Sequence, residues 1–375
     1  MKIIYLVTED WYFWSHRLPI ARAAREDGYE VVIAARVVDY GEKIRNEGFE
    51  LIPLKLDRRN INPIMELAAL LEIIRIYLRE KPDIAHHVAL KPIVYGSIAA
   101  LIARVPATVN ALAGLGHLFT AEGVKASIVR AFLKNLLSLF LRRKSACAIF
   151  QNPDDLGQFV RNGIVSDNQA ELIKGSGVDT DVFKPALKAP GGDPIVLLSS
   201  RMIRSKGMEN YIEAAKILKE RGAKARFVMV GKPDSGNPES IPDEQLRKWN
   251  DDGAVEYWGY RNDILEVLQS AAIVVLPSVY GEGVPKSLIE AASCEKPLVA
   301  YDIPGSREIV RHEVNGLLVS ARNVESLANA IYKLLEDSQL CARMGRAGRR
   351  IVKREFSEEI VIEKTLSLYK NMAAS

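Results

Sequence analysis

Residues 3–8, 31–35, 51–54, 83–87, 107–111, 146–150 and 171–174 form short, largely apolar runs rich in Ile, Val, Leu and Ala. Continuous apolar character of this kind marks strands buried on both faces. Between these runs, 15–27, 63–79, 92–104 and 126–142 have helical spacing, and several open on Ser, Asn or Pro, as helix starts prefer. This strand–helix order predicts a doubly wound parallel sheet. The pattern pauses at 183–194, where prolines and paired glycines read as a linker. It then restarts with strands expected at 195–200, 227–231, 255–259, 273–277, 297–300 and 316–319. The expected fold class is α/β, with an N-terminal domain over 1–183, a linker over 184–194 and a second domain over 195–356, the two facing each other.

Composition agrees with two domains, because 375 residues at 48% apolar content exceed the ~250–300 residues at which single cores split. The formal charge of +4 suits an anionic small molecule or lipid surface as well as nucleic acid. The basic residues are dispersed and no recognised motif accompanies them, so no nucleic-acid partner is expected. Cys147, Cys294 and Cys341 are odd in number and lack metal-ligand spacing, which argues against disulfides and zinc and for a reducing cytosol. The opening run stops at Glu9-Asp10, unlike a signal peptide. The best apolar stretch, 92–103, falls short of the ~18–20 residues of a membrane span. Any membrane contact is therefore expected to be peripheral.

The most informative segment is 278–294, directly after the apolar strand at 273–277. Gly281 and Gly283 allow close backbone approach, and Pro285 fits the first turn of a helix carrying Glu290 on its second turn. Gly283, Val284, Pro285, Lys286 and Ser287 then form a helix start, whose unpaired amides and dipole attract a phosphate. A carboxylate accepts bonds from two adjacent hydroxyls, so Glu290 can hold a ribose diol and Glu282 the hydroxyls of a transferred sugar. Two solvated surface acids are the competing reading; the Gly-Glu-Gly context after a buried strand favours the first. A second cluster, Arg201 and Lys206, offers a planar fork and a compact charge for a departing diphosphate, against the alternative of ordinary surface bases. Two fixed cations and a helix start can do the electrostatic work that Mg2+ does elsewhere. No metal and no cofactor is expected.

His16, His86, His87 and His117 fall at or just after expected strand ends of the first domain, where ligands of such folds bind. His16, Arg17, His86 and His87 are acceptor candidates, although structural histidines are the commoner kind. His312 sits in an ordinary helical context. The segment 123–144 carries six basic residues and no acid; it fits an anionic membrane face or a core helix with a basic outer side equally well.

These residues resemble the family-4 class of retaining glycosyltransferases, which has the GT-B fold of two Rossmann-like domains, and the resemblance covers nearly the whole chain. It is carried by the Glu282–Glu290 motif, the Arg201 and Lys206 pair, Val230-Gly231-Lys232 and Tyr257-Trp258-Gly259-Tyr260-Arg261. The resemblance implies that Glu282 contacts the donor sugar, Glu290 the ribose, and Arg201 and Lys206 the diphosphate. Gly231 belongs to the same donor site, and the backbone near Tyr260 and Arg261 contacts the base. It also implies that the last segment, 357–375, returns as a helix to the N-terminal domain.

The loop 9–17 lacks the glycine pair common in the family, and its aromatics resemble the branch that extends lipid-linked, undecaprenyl-diphosphate oligosaccharides. So does 110–117, which makes His117 a candidate to contact donor or acceptor; Gly114-x-Gly116 without a third glycine is no dinucleotide fingerprint. The implied activity is metal-independent retaining transfer of an N-acetylhexosamine or hexose from a nucleotide-diphosphate sugar, with uridine favoured over guanosine, onto a lipid-linked or other glycan at the cytosolic membrane face. No carboxylate nucleophile is identifiable in the first domain; the resemblance implies front-face attack by the acceptor, the leaving phosphate helping to remove its proton. A non-catalytic partner subunit and a nucleotide-sugar epimerase or phosphorylase of the same fold are the alternatives.

Overall fold

A computed structural model describes residues 1–60, 62–112, 124–187, 191–280 and 282–374, with the backbone alone over 124–129. It divides into two compact units, Met1–Ser176 with Glu359–Ser375, and Gly177–Glu358.

Unit 1 is built on seven parallel strands in the order β3-β2-β1-β4-β5-β6-β7. They are β1 (Lys2–Glu9), β2 (Glu30–Arg36), β3 (Glu50–Pro53), β4 (Ile84–Val88), β5 (Ala107–Leu112), β6 (Ala146–Phe150) and β7 (Ala170–Leu172). Every residue of β4, β5 and β6 is buried, as expected of strands covered on both faces. The helices are α1 (Asp10–His16), α2 (Leu18–Glu26), α3 (Gly41–Asn46), α4 (Pro63–Glu80), α5 (Leu90–Ala103), α6 (Val124–Leu141) and α7 (Pro153–Arg161). The single helix expected at 15–27 is instead two, broken at Arg17, with Pro at the start of the second. The first begins at once after β1, because the buried Asp10 carboxylate is held there by the backbone N–H groups of Val38 (2.9 Å) and Tyr40 (2.7 Å).

Unit 2 has six parallel strands in the order β10-β9-β8-β11-β12-β13: β8 (Ile195–Ser199), β9 (Arg226–Val230), β10 (Glu256–Tyr257), β11 (Ala271–Leu276), β12 (Leu298–Tyr301) and β13 (Gly316–Val319). Its helices are α8 (Met208–Glu220), α9 (Asp243–Asp251), α10 (Ile264–Ser270), α11 (Lys286–Ser293), α12 (Pro304–Ile309), α13 (Val324–Glu336) and α14 (Ser338–Glu355). In each sheet the strand order reverses beside the first strand, and loops beyond the carboxyl ends there are where such folds bind ligands.

The division lies earlier than the linker expected at 184–194. Val178 is fully buried in the unit 2 core, and its backbone bonds Phe356 O and Glu358 N–H, each at 3.0 Å. Arg349 grips the carbonyls of Phe183 and Thr180, both at 3.1 Å. Buried contacts and satisfied carbonyls, which proline and glycine spacing does not report, tie 177–187 to unit 2. The last helix, α15 (Glu358–Ala373), places Val361, Leu368 and Tyr369 in the core of unit 1.

Candidate functional site

In unit 2 the loops after β8, β9, β10 and β11 carry the residues singled out in the sequence. Gly207, with φ of +77°, ends the turn that holds Lys206. A Cβ there would lie 2.0 Å from Pro277 O, so this turn seats directly on the end of β11, and Val279 N–H donates to Ser205 O at 2.9 Å. This brings the Lys206 ammonium into hydrogen-bonded contact with the Glu282 carboxylate. Both side chains are mostly covered, at 15% and 20% exposure, where screening is weaker than at an open surface.

Glu282 is held from behind by a residue the sequence reading passed over. A Cβ on Gly305, in the first turn of α12, would stand 1.8 Å from Gly283 O and 2.5 Å from Glu282 O. The glycine thus permits the close approach on which the loop's position depends. Its sequence signal is Pro304-Gly305-Ser306, another helix start directly after an apolar strand. Ser278 and Ser306, both fully buried, have hydroxyls with no hydrogen-bond partner among the described residues. Leaving such a group unpaired costs about 1–3 kcal/mol, a cost a ligand's polar atoms can relieve.

Arg201 follows β8 and pairs with Asp234 at 2.6 Å. Gly231, with φ of +148°, has no room for a Cβ, which would sit 1.8 Å from Ser200 O. Ser200 N–H donates to Val230 O and Met202 N–H to Lys232 O, both at 3.0 Å. Gly231 N–H donates to Gly259 O at 2.9 Å, and Tyr257 OH to Gly231 O at 3.0 Å. Three strand-end loops are laced together in this way, and they bring Arg201, Gly231 and the 257–261 segment to one edge. Tyr260 is 53% exposed, with Lys232 Nζ 5.2 Å from its ring centroid. Arg261 is instead engaged by Asp263 and lies over Trp258. A groove of about 510 Å³ between α9 and this segment is lined by Lys232, Arg247 and Tyr257–Tyr260 among others.

Helix α11 starts at Lys286, with Pro285 as its N-terminal cap and not in its first turn; Val284 and Gly283 are buried before it, and Ser287 is half-buried. Glu290 is half-buried one turn on. Burial pushes its carboxyl up to about 7; the Lys286 charge opposes this, and repulsion from Glu358 adds to it. No group of three or more His, Cys, Asp or Glu able to hold a metal occurs among the described residues. An Asp-x-Asp spacing, a common metal-holding arrangement, does occur at Asp179 and Asp181, but it is used locally, Asp179 Oδ1 accepting from Asp181 N–H at 2.8 Å and Val182 N–H at 3.0 Å.

In unit 1 the acceptor candidates separate. His86 and His87 lie inside β4, not beyond its end, at 1% and 0% exposure. His87 is spent on structure: Nδ1 meets Asn110 Oδ1 at 2.8 Å, Nε2 meets Tyr77 OH at 3.1 Å, and the ring packs on Gly96, whose Cβ would meet it at 2.4 Å. Burial drives its pKa down to about 4. His86 Nδ1 meets Tyr369 OH at 2.5 Å, and Tyr369 OH meets Tyr5 OH at 2.8 Å, a chain that binds α15 to the sheet. Burial holds His86 well below its ordinary range, with the Arg17 and His87 charges adding to it. Arg17 is buried at 4% exposure, its Nε without a partner among the described residues. His16, half-buried at the end of α1, stacks on Tyr12 with centroids 4.2 Å apart. Of the four, His16 and Arg17 alone lie beyond a strand end. His117 lies outside the described residues. His312 is in a turn after α12, not in a helix, its Nδ1 accepting Leu318 N–H at 3.1 Å.

Residues 2–152 match the model described as "Glycosyl transferase 4-like" and 179–351 that of "Glycosyl transferases group 1". The chain is 30% identical over 381 residues, 98% of each chain, to the N,N'-diacetylbacillosaminyl-diphospho-undecaprenol alpha-1,3-N-acetylgalactosaminyltransferase of Campylobacter jejuni. It is 27% identical to the UDP-Gal:alpha-D-GlcNAc-diphosphoundecaprenol alpha-1,3-galactosyltransferase of Escherichia coli, covering 84% of this chain and 82% of that one. The crystal structure of Anabaena HepE in complex with UDP and glucose superposes with a TM-score of 0.81 over 99% of each chain at 19% identity, a likeness of fold that accords with the GT-B architecture of two parallel-sheet units. The chain belongs to the group 1 glycosyl transferases, with a glycosyl transferase 4-like N-terminal half.

Proposed function

We propose that this glycosyltransferase moves an N-acetylhexosamine or hexose from a UDP-sugar onto a lipid-linked glycan, with retention and without a divalent ion, at the cytosolic face of a membrane that it touches peripherally. The observation that carries the donor half of this reading is the Lys206–Glu282 contact, flanked by the Arg201 loop and the start of α11. Breaking the anomeric bond leaves negative charge on the diphosphate and positive character on the sugar, so the useful groups are those fixed in advance around the leaving group. Arg201 supplies a two-pronged donor, Lys206 a compact charge, and the first amides of α11 unpaired N–H groups. Lys206 also orients Glu282, whose remaining acceptor capacity suits sugar hydroxyls. Glu290 takes the ribose diol as a carboxylate, and the exposed Tyr260 edge receives the base. In this reading the acceptor attacks from the face the diphosphate leaves, and the diphosphate oxygen takes its proton.

The acceptor half is supported by the relatives, two of which are named for undecaprenyl-diphosphate-linked sugars, and the E. coli one for a UDP-sugar donor. No helix of the described residues is long and apolar enough to cross a membrane, so membrane contact in this reading is made by a surface.

The test is a thermal-shift panel of UDP- and GDP-sugars in EDTA, repeated with Glu290→Ala and Arg201→Ala. A donor that binds only the folded state raises the midpoint by mass action. The expected result is a shift by one UDP-sugar that both substitutions abolish. Absence of any shift removes the donor assignment and brings the partner-subunit reading forward; a shift that needs added Mg2+ removes metal independence.

A further inference from the structure

We infer that the outer face of α4 and α5, continued by α6, is the surface on which this protein docks to an anionic lipid bilayer. The inference rests on the lipid-linked acceptor reading and locates the membrane contact that reading requires.

Helix α4 is apolar on both sides. Its inner side places Ala69, Ile73, Ile76 and Tyr77 in the core. Its outer side repeats the pattern: Ile64, Leu67, Leu71 and Leu78 are 80%, 56%, 42% and 49% exposed. These positions recur at helical spacing and form one stripe along the helix. A helix covering a sheet in water shows a polar outer face, and one that is apolar all round is built to be covered twice. Helix α5 lies beside α4, as Lys91 and Tyr95 both reach Glu66. Leu101 and Ile102 at the end of α5 are 47% and 51% exposed. On α6, Phe132 and Leu139 are each 65% exposed. Exposed large apolar side chains gathered on three successive helices of one domain point to an interaction site.

Charge selects the occupant. The three acids of α4 are all engaged: Glu66 by Lys91 and Tyr95, Glu72 by Lys55 N–H, and Glu80 by Lys2 and Arg79. Helices α5 and α6 contain no acid. The exposed cations Arg75, Arg104, Arg142 and Arg143 stand on or beside the three helices. A second copy of the chain would set the same cations against each other in a two-fold interface. An anionic headgroup layer complements them, while the leucines enter the boundary beneath it.

The test uses the full-length protein and sedimentation with vesicles of phosphatidylglycerol or phosphatidylcholine. The wild type is expected to sediment with phosphatidylglycerol vesicles and far less with phosphatidylcholine. Leu67→Glu/Leu71→Glu is expected to lower the partition coefficient at least ~tenfold, keeping the wild-type melting midpoint and UDP-sugar shift because both positions are exposed. Failure of the wild type to bind anionic vesicles, or equal binding by the double variant, overturns the proposal. So does a dimer in light scattering that the same variant dissolves. Transfer to a detergent-solubilised lipid-linked acceptor separates the two readings. Transfer there by both proteins, with no vesicle binding by either, overturns the docking face alone. No transfer by either in detergent overturns the acceptor reading, while the vesicle result still decides the surface.

Discussion

Gly305 makes no contact with substrate in the proposed site, yet it is the position at which one methyl group should cost the most activity for the least stability. In Gly305→Ala the new Cβ starts 1.8 Å from Gly283 O, and real Cβ atoms essentially never come within 3.0 Å of another atom. The obstacle is backbone, so the loop carrying Glu282 must retreat by more than an ångström. Alanine favours a helix over glycine by up to ~1 kcal/mol, which offsets part of an overpacking cost of about 1–3 kcal/mol, so net stability should fall by no more than ~3 kcal/mol. A displacement of ~1 Å in a catalytic constellation costs about 10²-fold, because Glu282 then loses both Lys206 and its place beside the donor sugar. The assay is kcat/KM for sugar transfer alongside a thermal melt. Gly191→Ala is the control, a glycine with ordinary φ and nothing within 4 Å of where its Cβ would stand. Transfer by Gly305→Ala within about threefold of wild type would refute the claim that this contact sets the Glu282 loop.

Three further outcomes follow from the same geometry. The Glu290 carboxyl, at about 7 instead of its ordinary 4.5, holds its proton more tightly folded than unfolded. The contribution of Glu290 to the stability of the ligand-free protein is therefore full below pH 4.5, and up to about 3 kcal/mol of it is lost as pH rises through 7, read as the difference from Glu290→Gln across that range. UDP-sugar binding needs the carboxylate and should strengthen up to about tenfold per unit over the same range, then level off; titration calorimetry from pH 5.5 to 8 reads this, and Glu290→Gln should be weak and flat. Lys206→Ala and Glu282→Ala should each lower kcat by about 10²–10³-fold, and the double variant should be little worse than either, since the two act as one unit; additive losses in steady-state kinetics would contradict their coupling. Tyr369→Phe removes the hydroxyl between Tyr5 and His86 and should cost about 1–3 kcal/mol in urea unfolding, with wild-type donor binding retained.

Much of this protein was written locally. Most strands of both sheets are runs of adjacent apolar residues and the long helices are periodic ones, so alternation and parallel topology were legible without any long-range contact, while β7 and β10, Ala-Glu-Leu and Glu-Tyr, carry little such signal. The Glu282–Glu290 segment was legible for the same reason: Gly283 and Pro285 state the chain's local conformation whatever surrounds it. What escaped were relations between residues far apart. The seat of Glu282 depends on Gly305, and the partner of Arg201 is Asp234. The fate of His86 turned on Tyr369, 283 positions away, and that of His87 on Asn110 and Tyr77; a shift of one or two positions along β4 separates a core histidine from one at the mouth of a site. The early boundary at Ser176 came from Val178 bonding Phe356 and Glu358. The apolar outer side of α4 was in plain sight as Ile64, Leu67, Leu71 and Leu78, but period alone says that a helix has an apolar side, not whether anything covers it. Sequence specifies elements because their causes act within a turn or a strand, whereas exposure, ion pairs and close approach belong to whichever segments the fold brings together.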